Sequence, residues 1–401
     1  MSFSYASSLY CPKCTASHPL NKPINRCTCG SPLLVQYSLK ELKSRLNRED
    51  LKERPPTLWR YHELLPLQKE ENIISLGEGM TPLLEMKKTQ HELGISRLFM
   101  KDEGLAPTGS FKARGAAVGI SRAKELGIKE IAMPTNGNAG ASWSLYAAKA
   151  SIKSHIVMPA GSPPITRREV TIAGSDLHLV DGLISDAGKI IARLAEKYGW
   201  FDVSTLKEPY RIEGKKTMGF EIAEQMKWSL PDVIVYPTGG GVGLIGIYKA
   251  FRELIELGWI NKEDMPRLVA VQAEECAPIV KAFEEKKRVS TFWPDSKTAA
   301  FGINVPKAIG DFLVLEAIYR TNGMAISVSD ERLLAEQRRI ARQEGIFVCP
   351  EGAAAFAAVR ELRNQGWIRP DHTVVCLNTG MGIKYSEIIE VEATLLQPDD
   401  T

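Results

Sequence analysis

The chain has 401 residues, a quarter of them charged, and a formal net charge of +3 at pH 7 with histidine neutral. This length exceeds one ordinary hydrophobic core and predicts two domains, while the small net charge argues against nucleic acid or an anionic membrane as a partner. No apolar run is long enough to span a bilayer, and the first residues lack a charged stretch followed by an apolar one, so a cytoplasmic location is expected.

Four of the seven cysteines lie close together in the stretch CPKCTASHPLNKPINRCTCG. Cys11 and Cys14 form one close pair, and Cys27 and Cys29 form a second. Four thiolates can bind a structural zinc ion and so hold a segment too short for its own core, which predicts a zinc-ribbon-like segment over residues 1–45. The alternative is a reduced, metal-free loop. A disulfide is the least expected arrangement, because the cytoplasm keeps thiols reduced. The other three cysteines are predicted to be core thiols: Cys276, Cys349 and Cys376.

From about residue 98 the chain alternates between apolar runs and helical stretches. Strands are predicted at RLFMKDE, EIAMPT, SHIVMPA, DLHLVDG, DVIVYP, RLVAVQAEE and HTVVCLN. Helices are predicted at SFKARGAAVGISRAKELG, NAGASWSLYAAKA, ISDAGKIIARLAEKYG and LIGIYKAFRELIELG. This alternation indicates an α/β fold, with parallel sheets covered by helices on both faces.

Lys112 stands at the predicted start of a helix, in the stretch TGSFKARGA. The positive end of the helix macrodipole lowers the cost of a neutral amine there, which favours imine chemistry with a carbonyl. A solvated lysine on an amphipathic helix is the ordinary alternative. The flanking Gly109, Ser110, Arg114 and Gly115 argue against it.

Two further junctions between a strand and a helix carry small and polar residues. In PTNGNAGAS, residues 134–142, short polar side chains and glycines allow a ligand carboxylate to approach exposed amides; an ordinary turn with asparagine as the helix cap is the alternative. In PTGGGVGLIG, residues 237–246, four glycines in the turn form a phosphate-binding loop. The same stretch contains G-x-G-x-x-G, which by itself would also fit a dinucleotide site.

One interpretation uses all three loops. A lysine that forms an imine, an asparagine loop and a phosphate-binding glycine loop together suit pyridoxal phosphate. The motifs GSFKARGA, TNGNAGAS, PTGGGVG and CLNTGMGIKY resemble those of the fold-type II pyridoxal phosphate enzymes, the tryptophan synthase β family. Within that family the chain is most similar to the threonine synthases, over essentially its whole length.

The resemblance implies a role for each matching residue. Lys112 would be the catalytic Schiff-base lysine, Asn138 would bind the 3′-hydroxyl of the cofactor and Thr379 would face its pyridine nitrogen. The amides of five residues would hold the cofactor phosphate: Gly239, Gly240, Gly241, Val242 and Gly243. Thr135, Asn136 and Gly137 would bind the substrate carboxylate, and Ser110 would lie near the phosphate groups. Separately, Arg167 and Arg168 are predicted to bind the substrate phosphate, which needs cationic partners; a solvated helix start is the alternative for these two.

The implied reaction converts O-phosphohomoserine and water into L-threonine and phosphate, with Lys112 as base and acid in turn. Because SFKARGA is also close to the SFKxRGA of threonine and serine dehydratases, an ammonia-lyase remains an alternative. Two others are a cysteate-synthase-like β-replacement and, remotely, a NAD-dependent oxidoreductase.

The resemblance also implies a homodimer and two α/β domains with the cofactor between them. We expect the larger domain to combine residues 46–110 with 221–401, and a smaller, mobile domain to span residues 111–220. Closure of the smaller domain over substrate would exclude water from the site.

Overall fold

The computed structural model describes residues 2–398; residue 1 and residues 399–401, which belong to the predicted terminal segments, lie outside the described part. The strands are β1 (Ala6–Tyr10), β2 (Ser17–His18), β3 (Leu34–Tyr37), β4 (Leu83–Glu85), β5 (Arg97–Asp102), β6 (Glu130–Pro134), β7 (Lys153–Pro159), β8 (Asp176–Val180), β9 (Phe201–Asp202), β10 (Val233–Pro237), β11 (Arg267–Ala273), β12 (Met324–Val328) and β13 (Thr373–Asn378). The α-helices are α1 (Leu39–Lys43), α2 (Lys87–Leu93), α3 (Lys112–Glu125), α4 (Asn138–Lys149), α5 (Pro164–Ile172), α6 (Ile184–Tyr198), α7 (Arg211–Gln225), α8 (Val242–Leu257), α9 (Pro278–Glu284), α10 (Asp311–Arg320), α11 (Asp330–Glu344) and α12 (Pro350–Asn364). No helix in residues 2–398 is long and apolar enough to cross a membrane.

Two largely parallel sheets form the body of the molecule. The larger has the strand order β12-β11-β10-β13-β5-β4, and the smaller has the order β8-β7-β6-β9. Every pairing in them is parallel except that of β4 with β5. The central strand β10, VIVYP, is buried along its whole length, as expected of a parallel strand covered on both faces. The α/β architecture predicted from the alternation is therefore confirmed.

The third sheet is small, antiparallel and built from the first residues of the chain, in the order β2-β1-β3. Cys11 and Cys14 follow β1, and Cys27 and Cys29 precede β3. Their four sulfur atoms lie within 4.8 Å of one another. The two turns therefore bring together the four thiols that the spacing singled out.

The strands of the two larger sheets come from different parts of the chain. All strands of the four-stranded sheet lie within residues 111–220, and those of the six-stranded sheet lie within 46–110 and 221–401. Helix α7 crosses the predicted boundary at residue 220 and packs against both α3 and α8. A domain boundary inside a continuous helix is physically implausible, so a division of the chain there must fall outside residues 211–225.

Candidate active site

A cavity of about 550 Å³ lies where the carboxyl ends of the two parallel sheets meet. The loops that follow β6, β10 and β13 contribute residues to its lining, together with the first residue of α3. The ends of parallel strands are the usual ligand-binding edge of an α/β sheet, and this volume suits a small molecule with its cofactor.

Lys112 is the first residue of α3, and its side chain lines the cavity. Its Nζ lies 4.5 Å from the centroid of the Phe111 ring. Burial, reinforced by the charge of Arg211 and only partly offset by Glu351, lowers the pKa of Lys112 to about 8. At pH 7 about a tenth of the amine is therefore neutral, against far less for an ordinary lysine. The side chain is suited to nucleophilic attack and to proton transfer.

A buried ion-pair network fixes the helix that carries Lys112. The Arg114 guanidinium donates to Glu103 at 2.6 Å and to Glu221 at 2.5 Å, and Lys101 donates to Glu221 at 2.7 Å. All four side chains are fully buried. Burial alone would raise the pKa of Glu221, but Arg114 and Lys101 lower it to about 2. The arginine of the SFKARGA stretch is thus a structural anchor for α3.

The asparagine loop forms one wall of the cavity. Thr135 Oγ1 accepts hydrogen bonds from the amides of Gly137 and Gly140, each at 3.0 Å, which closes the turn before α4. Asn136 Nδ2 donates to the carbonyl of Asn304 at 3.1 Å. Thr135, Asn136, Gly137 and Asn138 all line the cavity, as their predicted roles require.

Asn138 is the first residue of α4, and its side-chain oxygen lacks a hydrogen-bond donor within the described residues. Its Nδ2 donates to Tyr385 Oη at 3.0 Å. Its Oδ1 is buried and has no hydrogen-bond partner within the described residues. A buried acceptor without a donor is costly, so the site is built for a ligand that supplies a hydroxyl or amine proton at this point.

The glycine loop presents backbone amides at the start of the 16-residue helix α8. Gly241 has φ of 75°, and a Cβ there would lie 2.1 Å from Val314 Cγ2. At Gly243 a Cβ would lie 1.9 Å from Tyr236 Oη. The bare backbone and the helix dipole together favour an anion such as phosphate. Gly246, the last glycine of the dinucleotide-like pattern, packs instead against the backbone of α7, where a Cβ would lie 2.9 Å from the amide nitrogen of Lys216.

Thr379 follows β13 and lines the cavity beside two residues from the start of α12. Its Oγ1 lies 3.7 Å from Cys349 Sγ. Glu351 Oε1 accepts hydrogen bonds from the amide of Gly302 at 2.6 Å and from Tyr385 Oη at 2.8 Å, and its Oε2 is buried without a partner among the described residues. Glu351 therefore positions Tyr385, which in turn contacts Asn138.

Within the described chain, seven cationic side chains but a single carboxylate line the cavity. The cations are Arg26, Lys112, Lys189, Lys207, Arg211, Lys215 and Lys307, and the carboxylate is that of Glu351. Four of the cations pair with carboxylates: Lys189 with Asp186, Lys207 with Asp202, Arg211 with Glu208 and Lys307 with Asp311. The remaining three are Arg26 and the amines of Lys112 and Lys215, whose pKa values burial lowers, so the cavity suits an anionic ligand without a large excess of positive charge.

Arg211 and Lys215 were missed from the sequence and lie on the same helix, α7. The Arg211 guanidinium donates to Thr205 Oγ1 at 3.1 Å, to Glu208 and to the Val203 carbonyl. Lys215 Nζ donates to the Phe111 carbonyl, and burial, then Lys112 and then Arg211, lower its pKa well below the ordinary value. All six residues of the stretch RIEGKK are buried, but burial is not visible in so charged a sequence, so the sequence offered no signal for these two residues.

Three predicted substrate residues do not line the cavity. Arg167 and Arg168 lie on α5, where the first is half-buried and the second is exposed, and their neighbour Thr166 lines the cavity instead. Ser110 is buried behind the lining, where it pairs with Gly380, and its Oγ has no partner within residues 2–398. Neither arginine belongs to the lining of the cavity, so the cavity gives no support to their predicted role at the substrate phosphate.

Known proteins resemble this chain over most of its length. The sequence is 35% identical over 375 residues to threonine synthase from Methanocaldococcus jannaschii, covering 93% of this chain and 92% of that protein. It is 36% identical over 378 residues to threonine synthase from Methanosarcina acetivorans, covering 94% and 92%. Among solved structures, maize serine racemase superposes with a TM-score of 0.66 at 22% identity, covering 76% of this chain and 88% of that one.

A second solved structure is the processed form of threonine deaminase isoform 2 from Solanum lycopersicum. It superposes with a TM-score of 0.65 at 22% identity, covering 77% of this chain and 86% of that one. The model of the pyridoxal-phosphate dependent enzyme family matches residues 74–380, which include every cavity loop described above. The chain therefore belongs to the family of pyridoxal-phosphate dependent enzymes.

Proposed function

We propose that the chain is a threonine synthase, which converts O-phospho-L-homoserine and water into L-threonine and phosphate. The observation that carries this assignment is the similarity, over more than nine-tenths of the chain, to two relatives named threonine synthase. The basic side chains of the cavity suit a cofactor phosphate, a substrate phosphate and a substrate carboxylate.

The residues of the cavity fit pyridoxal phosphate. The unpartnered Asn138 Oδ1 would accept a hydrogen bond from the ring hydroxyl, and Thr379 would lie near the ring nitrogen. The loop Gly239–Gly243 would hold the phosphate through its amides. When bound, the cofactor supplies an electron-withdrawing ring that makes the Cα proton of the substrate acidic.

Lys112 is the group that moves protons. Its Nζ would bind the cofactor carbonyl at rest, and once substrate displaces it, the free amine would take the proton from Cα. The same amine would then transfer protons at Cβ and Cγ as phosphate leaves Cγ and water adds at Cβ. A pKa of about 8 suits both roles, because the amine can gain and lose a proton near neutral pH.

Arg211, in the lining of the cavity, would bind the substrate phosphate. Arg211 is held in place by Glu208 and Thr205, so little conformational entropy is lost when it binds an anion. Thr135, Asn136 and Gly137 remain the proposed ligands of the substrate carboxylate. Ser110 lies behind the lining beside Gly380 and would not contact substrate directly.

The assignment is tested by measuring products from purified protein. Phosphate and L-threonine should appear from O-phosphohomoserine, and L-threonine offered alone should give little 2-oxobutanoate. Ammonia and 2-oxobutanoate from L-threonine, with no phosphate from O-phosphohomoserine, would establish the ammonia-lyase instead. O-phosphoserine with sulfite tests the cysteate-synthase-like alternative, and a purified protein that lacks visible cofactor absorbance but binds a nicotinamide nucleotide would favour an oxidoreductase.

The covalent reaction of Lys112 with pyridoxal phosphate should depend on pH. Only the neutral amine attacks the carbonyl, so the rate at which cofactor absorbance develops on mixing with apoprotein should rise with pH up to about 8 and then level off. An ordinary lysine would still gain rate up to about pH 10. Stopped-flow absorbance from pH 6 to 10 measures this profile, and a rise that continues beyond pH 9 contradicts it.

Gly241→Ala should weaken pyridoxal phosphate binding by at least about tenfold. The left-handed backbone disfavours alanine by roughly 1–2 kcal/mol, and the new methyl group would meet Val314, so the loop must move away from its phosphate-binding position. Absorbance titration of the apoprotein measures the affinity. Gly161→Ala is the matched control, because a Cβ at Gly161 has open space around it; equal affinities in the two variants would refute the prediction.

We further propose that the four N-terminal cysteines bind one structural zinc ion per chain. Their sulfur atoms are close enough for a single tetrahedral site, and a closed set of four thiolates leaves no position for catalysis. Elemental analysis should find zinc at about one equivalent per chain, and Cys11→Ser with Cys27→Ser should remove it. A preparation that folds and stays active without bound metal would support the reduced loop.

A cytoplasmic homodimer with a closing small domain completes the proposal. The closing motion would exclude water while the Cα carbanion character persists. Light scattering of the purified protein tests the dimer, and small-angle scattering with and without substrate tests closure. Neither nucleic acid nor a membrane is expected as a partner.

A further inference from the structure

The N-terminal cysteine segment reaches the active-site cavity through one residue. Of the described residues up to 45, Arg26 alone lines the cavity. It stands between Asn25 and Cys27, so it is adjacent in sequence to the four-cysteine cluster. The cysteine segment, which has no proposed catalytic residue, thus places a guanidinium at the rim of the cavity.

Arg26 differs from the other cations of the rim because its charge is not compensated. Lys189, Lys207 and Lys307 each pair with an aspartate, at 2.9, 2.8 and 2.5 Å. Arg26 is exposed and makes no hydrogen bond or ion pair with any described residue. A free guanidinium at the mouth of a small-molecule site suits a phosphate, which it can bind through two parallel hydrogen bonds.

The backbone around Arg26 is held from two sides. Asn25 Nδ2 donates to the carbonyls of Asp202 and Lys207, both at 2.7 Å. On the other side the Cys27 amide donates to the Ser31 carbonyl at 3.0 Å, and the Cys27 sulfur belongs to the cluster. The position of Arg26 therefore depends on both the Asn25 contact and the arrangement of the cysteines.

Asn25 and Arg211 both donate hydrogen bonds to the same loop, residues 202–207. Arg211 donates to the Val203 carbonyl and to Thr205 Oγ1, between the two carbonyls that Asn25 contacts. Arg211 and the segment that carries Arg26 thus contact the same loop, residues 202–207. The cofactor phosphate would be held at the glycine loop, so an exposed guanidinium on this side is left for a group that enters and leaves.

We propose that Arg26 binds the phosphate group of the amino-acid substrate at the rim of the cavity, and that the four-cysteine cluster positions it there. This inference rests on the proposed function. It adds a substrate contact from outside the two α/β domains, and it assigns the cysteine segment a role in substrate affinity. Metal bound at the cysteines would fix Cys27 and hence its neighbour.

The direct test compares Arg26→Gln with the wild-type holoenzyme. The KM for O-phosphohomoserine should rise about tenfold, and kcat should stay within about twofold of wild type. A tenfold change corresponds to the weaker end of the range for hydrogen bonds to charged groups, as expected at an exposed site. Arg26→Lys should recover part of the affinity. Lys22→Gln is the matched control, since Lys22 is an exposed cation of the same segment that does not line the cavity. A KM for Arg26→Gln equal to that of the control would overturn the proposal.

A second measurement separates failure of this inference from failure of the proposed function. Calorimetry with inorganic phosphate should show weaker binding to the Arg26→Gln holoenzyme, whatever the enzyme turns over. A wild-type protein that fails to act on O-phosphohomoserine yet loses phosphate affinity in Arg26→Gln refutes the function alone. Unchanged phosphate affinity in an active enzyme refutes the role of Arg26.

The role of the cluster is tested by a cycle of chelation and substitution. Removing metal from wild-type protein, verified by thiol titration, should weaken phosphate binding by about the same factor as Arg26→Gln. Removing it from the variant should cause no further loss, because the residue that it positions is absent. Equal and additive losses in both proteins, or no loss in wild type, would overturn the positioning role; circular dichroism checks that the fold is retained.

Discussion

Replacing Lys112 with alanine is expected to lower kcat for threonine formation by at least about 10⁴-fold, since one amine both binds the cofactor carbonyl and carries the protons. The visible absorbance of covalently bound pyridoxal phosphate should disappear with it. Phosphate release from O-phosphohomoserine measures the first effect, and the spectrum of the purified variant measures the second.

The structure supplies a control and a second variant for this prediction. Lys124 lies on the same helix but is exposed, so Lys124→Ala should keep wild-type kcat. Lys215 is a second buried amine near Lys112, within 4.0 Å of the Phe111 ring centroid. Any residual activity of Lys112→Ala should therefore fall further in the double variant with Lys215→Met. A single variant that retains more than a tenth of the wild-type rate would refute the role of Lys112.

Replacing Arg114 with methionine should lower the free energy of unfolding by about 3–5 kcal/mol at pH 7. The substitution leaves Glu103 and Glu221 buried without their main partner, and only Lys101 remains to compensate Glu221. Urea denaturation measures the loss. Arg168→Met, at an exposed position on α5, should change stability by less than about 0.5 kcal/mol.

The loss in Arg114→Met should depend on pH in a defined direction. The pKa of Glu221 in the folded protein is about 2, below its value of about 4.3 in an unfolded chain. The ionised carboxylate therefore contributes stability that is fully present above about pH 4.3 and is lost as the pH falls towards 2. The difference between wild type and Arg114→Met should shrink over this interval. A difference that stays constant from pH 7 to pH 3 would show that packing, not charge, sets the cost.

The fold class and the parts of the site nearest the cofactor were predictable from local sequence. Lys112, Asn138 and the glycine loop each lie where a strand ends and a helix begins, so their type and position are visible within about ten residues of chain. A helix N-terminus and a glycine-rich phosphate loop depend on backbone conformation over that short range, whereas the lowered pKa of Lys112 comes from burial and from the distant Arg211. These local motifs therefore predicted the pyridoxal phosphate family without knowledge of the sheets, and the family match confirms this prediction.

Other parts of the site depend on contacts between distant segments. Asn138 and Tyr385 are 247 residues apart, yet one hydrogen bond joins them in the cavity wall. No local pattern distinguishes Arg211 and Lys215 from surface cations; burial of α7 between α3 and α8 makes them cavity residues. The same holds for Arg26, which reaches the rim because Asn25 binds a loop 177 residues away.

The sequence by itself thus determined the α/β architecture and the cofactor family, because periodicity and turn chemistry act over a short range of chain. The residues proposed to touch the cofactor were implied by the resemblance of their motifs. Tertiary structure alone decided which charges face the substrate. It left Arg167 and Arg168 outside the lining of the cavity and brought Arg211, Lys215 and Arg26 into it. Charge recognition is set by the packing of whole helices and sheets, and a side chain's place in that packing is not encoded in its immediate neighbours.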